Sequence, residues 1–271
     1  MAMISVYEAL KRLKNGETVC FYDLETTGLK KKESRILSFS AIKIKMNEDN
    51  YEEVERKNIF LNPECIIPTE VSLINHITNE TVKDCPTEKE VGKEIIDFLN
   101  SADMISGYNI SFDNWFINEM SKRVRNQSWE PKMEFDVFSL VKTKLPKSTT
   151  GLENQKLETV ATYFAVNEDL TFHDSIDDVI ATIRVFWKIK DMFQLPILIS
   201  ASLWQKYSLY RLYIDNSESL SIYYDIVEKK WVAEEGVESI LISNLLAKYN
   251  DSIDELLEAV KQNNGKLFFE S

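Results

Sequence analysis

FYDLETTGLKKK, residues 21–32, ends an apolar run on two carboxylates, turns through Thr26-Thr27-Gly28 and finishes on Leu29 and three lysines. The segment TVCFYDL (18–24) is apolar nearly throughout and reads as a buried strand. Asp23 and Glu25 occupy alternate positions of that strand, so both side chains leave one face near its end. Two carboxylates side by side in a sheet repel each other unless a cation sits between them. Taken alone, the pair reads more simply as a solvated strand end.

Working outward, RILSFSAIKIKM (35–46) alternates at period two, and ERKNIFLNP (55–63) is a third strand ending at Pro63. Short connections between the three predict an antiparallel meander. MAMISVYEALKRLKNG reads as an amphipathic helix ending at Gly16, and Pro68-Thr69-Glu70 opens a short helix. Thr87 and Glu90 have capping-box spacing ahead of a helix over VGKEIIDFLN. A strand over 103–109 precedes a helix from Asp113 to about Lys122, and a further strand is expected near FDVFSL (135–140). LPKSTTGLENQK (145–156) is loop-like. LETVATYFAV and HDSIDDVIATIRVFWKIKDMF then carry apolar residues at helical spacing. Strands first and strand–helix alternation afterwards predict an α/β domain with a mixed sheet.

The last proline, Pro196, marks the expected boundary between a domain over 1–195 and a small α+β domain over 197–271. LYRLYID, SLSIYYDIV and KKWVAEE read as strands of the second domain. VESILISNLLAKY and SIDELLEAVKQN read as its amphipathic helices. That stretch holds seven basic against twelve acidic residues, too acidic to grip DNA. It is expected to mediate homo-oligomerisation or to bind a partner.

The whole chain carries a net charge of −12, which argues against extended non-specific binding to duplex phosphates. An enzyme that grips only a strand end remains open, because bound metals would supply local positive charge. Cys20, Cys65 and Cys85 are odd in number and far apart, which fits neither a disulfide framework nor a zinc site. No run approaches the roughly 18 apolar residues of a membrane span, and the N-terminus lacks a signal pattern. A cytoplasmic setting is expected.

Two further clusters change the weight of Asp23 and Glu25. YNISFDNWFI (108–117) sets Asn109 and Asp113 on either side of a strand-to-helix turn. FHDSIDDVIAT (172–182) sets His173, one of two histidines, five residues before Asp178 in an otherwise apolar helix. Singly, each reads more simply as helix-capping and dipole-matched acids. Together, D-x-E, then N-x-x-F-D, then H-x-x-x-x-D resemble the three motifs of the DEDDh (DnaQ-like) exonuclease family. LNPECIIPTEVSLINHITNETV and QKLETVATYFAV resemble that family's connecting segments. The resemblance covers about residues 17–190.

It implies an RNase H-like fold, a five-stranded mixed sheet with helices on both faces. It implies that Asp23, Glu25, Asp113 and Asp178 hold two Mg²⁺ or Mn²⁺ ions, as hard oxygen ligands suit. His173 would then remove the proton from the attacking water, a role for the side chain that titrates near neutral pH. The implied reaction is 3′→5′ removal of nucleoside monophosphates from single-stranded or frayed ends, DNA favoured over RNA. Thr26 and Thr27 would meet the terminal 3′-OH, and Leu29 and Ile77 would flank the terminal base. The simpler reading of Leu29 is an ordinary core residue. Asn109 is open between touching substrate and holding its turn. Where related sequences commonly carry His-Gly, this chain has Asn75-His76, and His76 is open between contacting a base and standing in solvent. Lys30, Lys31 and Lys32 either steer phosphates or solvate a loop.

Overall fold

The computed structural model describes residues 3–30, 32–192, 197–204, 209–214, 217–225, 230–233 and 266–269, with Glu255, Glu258, Ala259 and Gln262 between them. The chain divides into two compact units, Met1–Phe193 and Gln194–Ser271.

In the first unit α1 (Val6–Lys14) leads into β1 (Val19–Thr26), β2 (Ile36–Asn47) and β3 (Asn50–Phe60). Next come α2 (Thr69–Asn75), α3 (Asn79–Val82), α4 (Glu88–Asn100) and β4 (Met104–Gly107). The unit closes with α5 (Ser111–Arg125), β5 (Glu134–Asp136), α6 (Val137–Lys144), α7 (Lys147–Thr150), α8 (Leu157–Tyr163) and α9 (Ser175–Lys190). The strands form one sheet in the order β3-β2-β1-β4-β5. β1 runs antiparallel to β2 and parallel to β4, and β4 runs parallel to β5. This is the mixed five-stranded sheet expected.

The period of two along β1 sorts its side chains onto two covered faces. Cys20, Tyr22 and Leu24 join Phe39 and Ala41 of β2 in a core with Ile95 and Phe98 of α4 and Phe116 of α5. Phe21 points the other way and packs against Phe135 and Phe186, the latter from α9. Asp23 and Glu25 therefore share the α9 face with Phe21. The sheet is closely joined where β4 ends. A Cβ on Gly107 would lie 2.9 Å from the Tyr22 carbonyl oxygen and 2.6 Å from Ile110, so only glycine fits there.

Several elements differ from the sequence reading. β3 begins at Asn50 rather than Glu55, because it zips onto β2 from the hairpin turn at Asn47–Asn50. β2 is buried on both faces from Ile36 to Ile44, so its alternating polar residues are not solvated. Lys43 is one of them; it pairs with Glu55 (2.9 Å) and lies 4.8 Å from the Phe98 ring centroid. The strand expected over 135–140 stops at Asp136. The Asp136 carboxylate accepts the amides of Phe138 and Ser139, and this cap starts α6 inside the apolar run. α5 starts at Ser111, which places Asp113 inside the first turn rather than at its edge. The loop-like 145–156 contains one short helix, α7.

The described strands of the second unit are β6 (Ile197–Trp204), β7 (Leu209–Ile214), β8 (Ser217–Asp225), β9 (Lys230–Ala233) and β10 (Lys266–Phe269). They form an antiparallel sheet in the order β10-β6-β7-β8-β9. β6 and β10 are additions to the three strands expected. The helix expected over 237–249 lies outside the described residues; of 252–263, the four described residues are helical. No helix among the described residues is long and apolar enough to cross a membrane.

Candidate active site

The site grows from the register of β1 on β2. Asp23 lies opposite Ser40 and Glu25 opposite Ser38, so carboxylates and hydroxyls share one face. Ser175, the first residue of α9, inserts between the two serines, with its Oγ 2.8 Å from Ser38 Oγ and 2.7 Å from Ser40 Oγ. Asp174 caps the same helix by accepting the Ile176 amide. This buried trio of hydroxyls pins the helix that carries Asp178 beside the strand that carries Asp23 and Glu25. Ser175→Ala is expected to cost about 1–2 kcal/mol by stranding buried hydroxyls. A thermal melt reads the loss as a Tm lowered by a few degrees, and an unchanged Tm would contradict the pinning.

Asp113 reaches the same place from α5. It is 3% exposed, and its carboxylate accepts the amide of Leu24 in β1 as well as its own. Burial, then the charges of Asp113, Asp178 and Glu25, pushes the Asp23 carboxyl well above the ordinary carboxylate range. Burial likewise raises Asp113 well above that range, against the pull of its two amide donors. Glu25 is pushed up to about 7 by burial, opposed by a hydrogen bond from Asn75. Asp178 is pushed up to about 7 by burial, opposed by the backbone amide of His173. Asp23, Glu25, Asp113 and Asp178 are thus brought into one electrostatically coupled cluster.

The donor set fits a divalent cation. Glu25, His173 and Asp178 each offer a ligand atom, all within 4.8 Å of one another. Asp178 Oδ1 is the buried side-chain oxygen among the described residues that has no hydrogen-bond partner. Hard oxygens crowded against their own repulsion are what a divalent cation relieves.

The shifts set a pH dependence for the metal-free protein. Glu25 and Asp178 titrate higher folded than unfolded, so their contribution to stability is complete below about pH 4 and is lost as pH rises through about 7. The metal-free Tm is expected to fall between about pH 4.5 and 7.5, and saturating Mn²⁺ to reverse most of that fall. Scanning calorimetry with and without Mn²⁺ measures it; a metal-free Tm that climbs across this window would refute the cluster's electrostatics.

The remaining expected residues fall around this cluster. A cavity of about 360 Å³ opens over it, lined by Glu25, Ser38, Asn75, Ile77 and His173 among others. Ile77 is 6% exposed and belongs to a small core with Leu37, Ile67 and Val82, so it forms fixed wall. Leu29 is 80% exposed and is no core residue. Thr26 and Thr27 are buried, and their hydroxyls already brace the turn. Thr26 Oγ1 donates to the Gly28 carbonyl (2.9 Å), and Thr27 Oγ1 accepts the Arg35 amide (2.9 Å). The Asn109 backbone amide donates to Asp136 Oδ1 (2.8 Å), which holds the strand-to-helix turn.

Three residues at the site stand in the left-handed region: His76 (φ 60°), Asn109 (φ 67°) and His173 (φ 68°). Asparagine and histidine tolerate this conformation better than most, yet it is strained outside glycine. His76 therefore occupies a backbone geometry that glycine adopts more readily. Sequence reasoning missed Asn75 as the partner of Glu25, and missed the serine trio and Asp136. Serines at 38 and 40 inside an apolar strand were the available signal for the trio.

A five-stranded mixed sheet with helices on both faces, and two acids on its central strand, is the RNase H-like fold. The chain belongs to the exonuclease family, the DnaQ-like class its motifs resemble. The family model for exonucleases matches residues 20–186, which run from β1 into α9. A PolC-type DNA polymerase III of Caldanaerobacter subterraneus subsp. tengcongensis is 31% identical over 182 residues, covering 66% of this chain and 12% of the polymerase. The subunit epsilon of DNA polymerase III from Treponema pallidum is 26% identical over 165 residues, covering 61% of this chain and 73% of that subunit. The chain spans only 11–13% of the length of the PolC-type polymerases it matches. Among solved structures, the zinc-bound E. coli exonuclease I–ssDNA complex aligns with a TM-score of 0.56 at 18% identity, covering 78% of this chain and 54% of that one. At that identity the likeness speaks for the fold.

Proposed function

We propose that this chain is a metal-dependent 3′→5′ exonuclease that removes nucleoside monophosphates from single-stranded or frayed DNA ends. The observation that carries the reading is the approach of Glu25, His173 and Asp178 to within 4.8 Å, with Asp178 Oδ1 unpartnered and with Glu25 and His173 lining an open cavity. Asp23, Glu25, Asp113 and Asp178 would hold two Mg²⁺ or Mn²⁺ ions. When bound, the ions offset phosphate charge and make a neighbouring water more acidic. His173, exposed and held beside Glu25 and Asp178, takes the proton of the attacking water. Hydrolysis breaks the P–O3′ bond, leaving a 5′-monophosphate on the released nucleoside and a new 3′-OH on the strand. Leu29, Ile77 and Asn109 line the approach of the terminal nucleotide, and the turn that Thr26 and Thr27 brace presents its backbone to the 3′-OH.

DNA is favoured because the sequence relatives are DNA polymerase III proteins and the aligned exonuclease I structure holds single-stranded DNA. Matched 5′-labelled DNA and RNA strands, trimmed in competition, test this. The DNA strand is expected to shorten first, and trimming of RNA alone would overturn the substrate assignment. The second unit is proposed as a homo-oligomer or partner module. Sedimentation of the full chain over a hundredfold concentration range should show assembly, and a monomer throughout would exclude self-association.

A further inference from the structure

A second groove, of about 600 Å³, opens on His173 from the side of Asn109 and is separate from the cavity over Glu25. Tyr108, Phe138, Lys147, Lys156 and Leu157 line it, and no described carboxylate does. In a chain of net charge −12 that composition stands apart. From Val137 to Leu157 the sequence carries four lysines against one acid, Glu153. Elsewhere lysines are commonly neutralised: Lys30, Lys43, Lys57, Lys83 and Lys122 each lie within ion-pair distance of a carboxylate. Lys147 instead donates to the Glu153 carbonyl (3.1 Å), and among the described residues neither it nor Lys156 has a carboxylate partner.

The groove is braced rather than loose. The Tyr108 hydroxyl donates to the Gln155 carbonyl (2.6 Å), and Gln155 Nε2 donates to the Leu145 carbonyl (2.8 Å). The Tyr108 and Phe138 rings pack with centroids 5.3 Å apart, and Lys142 Nζ lies 4.4 Å from the Phe138 centroid. Unpaired cations beside half-exposed rings are the chemistry that takes a single nucleic-acid strand, phosphates on the lysines and bases on the rings. We infer that this groove holds the nucleotides upstream of the scissile phosphate, with His173 at its junction with the cavity for the terminal nucleotide. The inference rests on the exonuclease reading above and adds the path of the strand to it.

The test compares Lys147→Glu/Lys156→Glu with Lys11→Glu/Lys93→Glu, an equal change of charge placed elsewhere. Binding of a 5′-fluorescein 12-nucleotide single strand in EDTA is read by anisotropy, independently of any cleavage. The groove variant is expected to raise Kd about 10-fold or more and to flatten the log Kd–log salt slope by about 1.4, two phosphate contacts at about 0.7 each. Phe138→Ala should raise Kd about 10-fold with little change of slope. Equal Kd for the two double variants, or a groove variant that binds like wild type, would overturn the inference. If the wild type binds as expected yet trims no 3′ end, the exonuclease reading fails while the groove stands.

Discussion

Asp113→Asn is expected to lower turnover by about 10³-fold or more while raising the Tm of the metal-free protein. The two effects have one cause. Asp113 is nearly fully buried and coupled to the charges of Asp23 and Glu25, and in the proposed mechanism its charge would serve the cation it would help to hold. Asparagine keeps the size and can still accept the amide of Leu24, but it removes one negative charge from a crowded cluster. Without metal, that relieves repulsion and desolvation, so stability rises by about 1–3 kcal/mol. With metal, a ligand is lost, and metal-based stabilisation of a phosphoryl transition state amounts to several kcal/mol. An acid retained for folding alone would behave oppositely, with activity falling only as stability falls. Steady-state kinetics and calorimetry on the same protein separate the two.

His173→Ala is expected to lower kcat by about 10²–10⁴-fold with little change in Mn²⁺ affinity or Tm. Stability should hardly move because the side chain is exposed and packs into no core. Its distance from Glu25 and Asp178 also permits a ligand's role, and titration calorimetry with Mn²⁺ distinguishes the two. A large loss of Mn²⁺ affinity would make His173 a ligand rather than the base. His173→Asn, which tolerates the same left-handed backbone, controls for distortion of the loop.

The parts of this site legible in the sequence were those whose chemistry demands a residue type at a fixed spacing. Asp23, Glu25, Asp113, His173 and Asp178 stood out as an ordered set, and the apolar run before Asp23 announced the central strand. What escaped was decided by long-range contact. Ser175 meets Ser38 across 137 residues of chain, and no local pattern reports such a meeting. Asp136 reads locally as part of a strand, yet its cap ends β5 after three residues and frees Val137 to begin a helix. Leu29 stood between a wedge against the terminal base and an ordinary core residue, and the structure leaves it exposed, so it is no core residue. The resemblance implies that Thr26 and Thr27 meet the terminal 3′-OH, and no sequence pattern showed that their hydroxyls also brace the turn.

The most direct measurement is a time course on one single-stranded DNA carrying a fluorophore at the 5′ end, with Mg²⁺, Mn²⁺ or EDTA. The account predicts a descending ladder of 5′-labelled products, one nucleotide per rung, in Mg²⁺ or Mn²⁺ and none in EDTA. Release of the labelled 5′ nucleotide as the first product, or shortening that persists in EDTA, would contradict it.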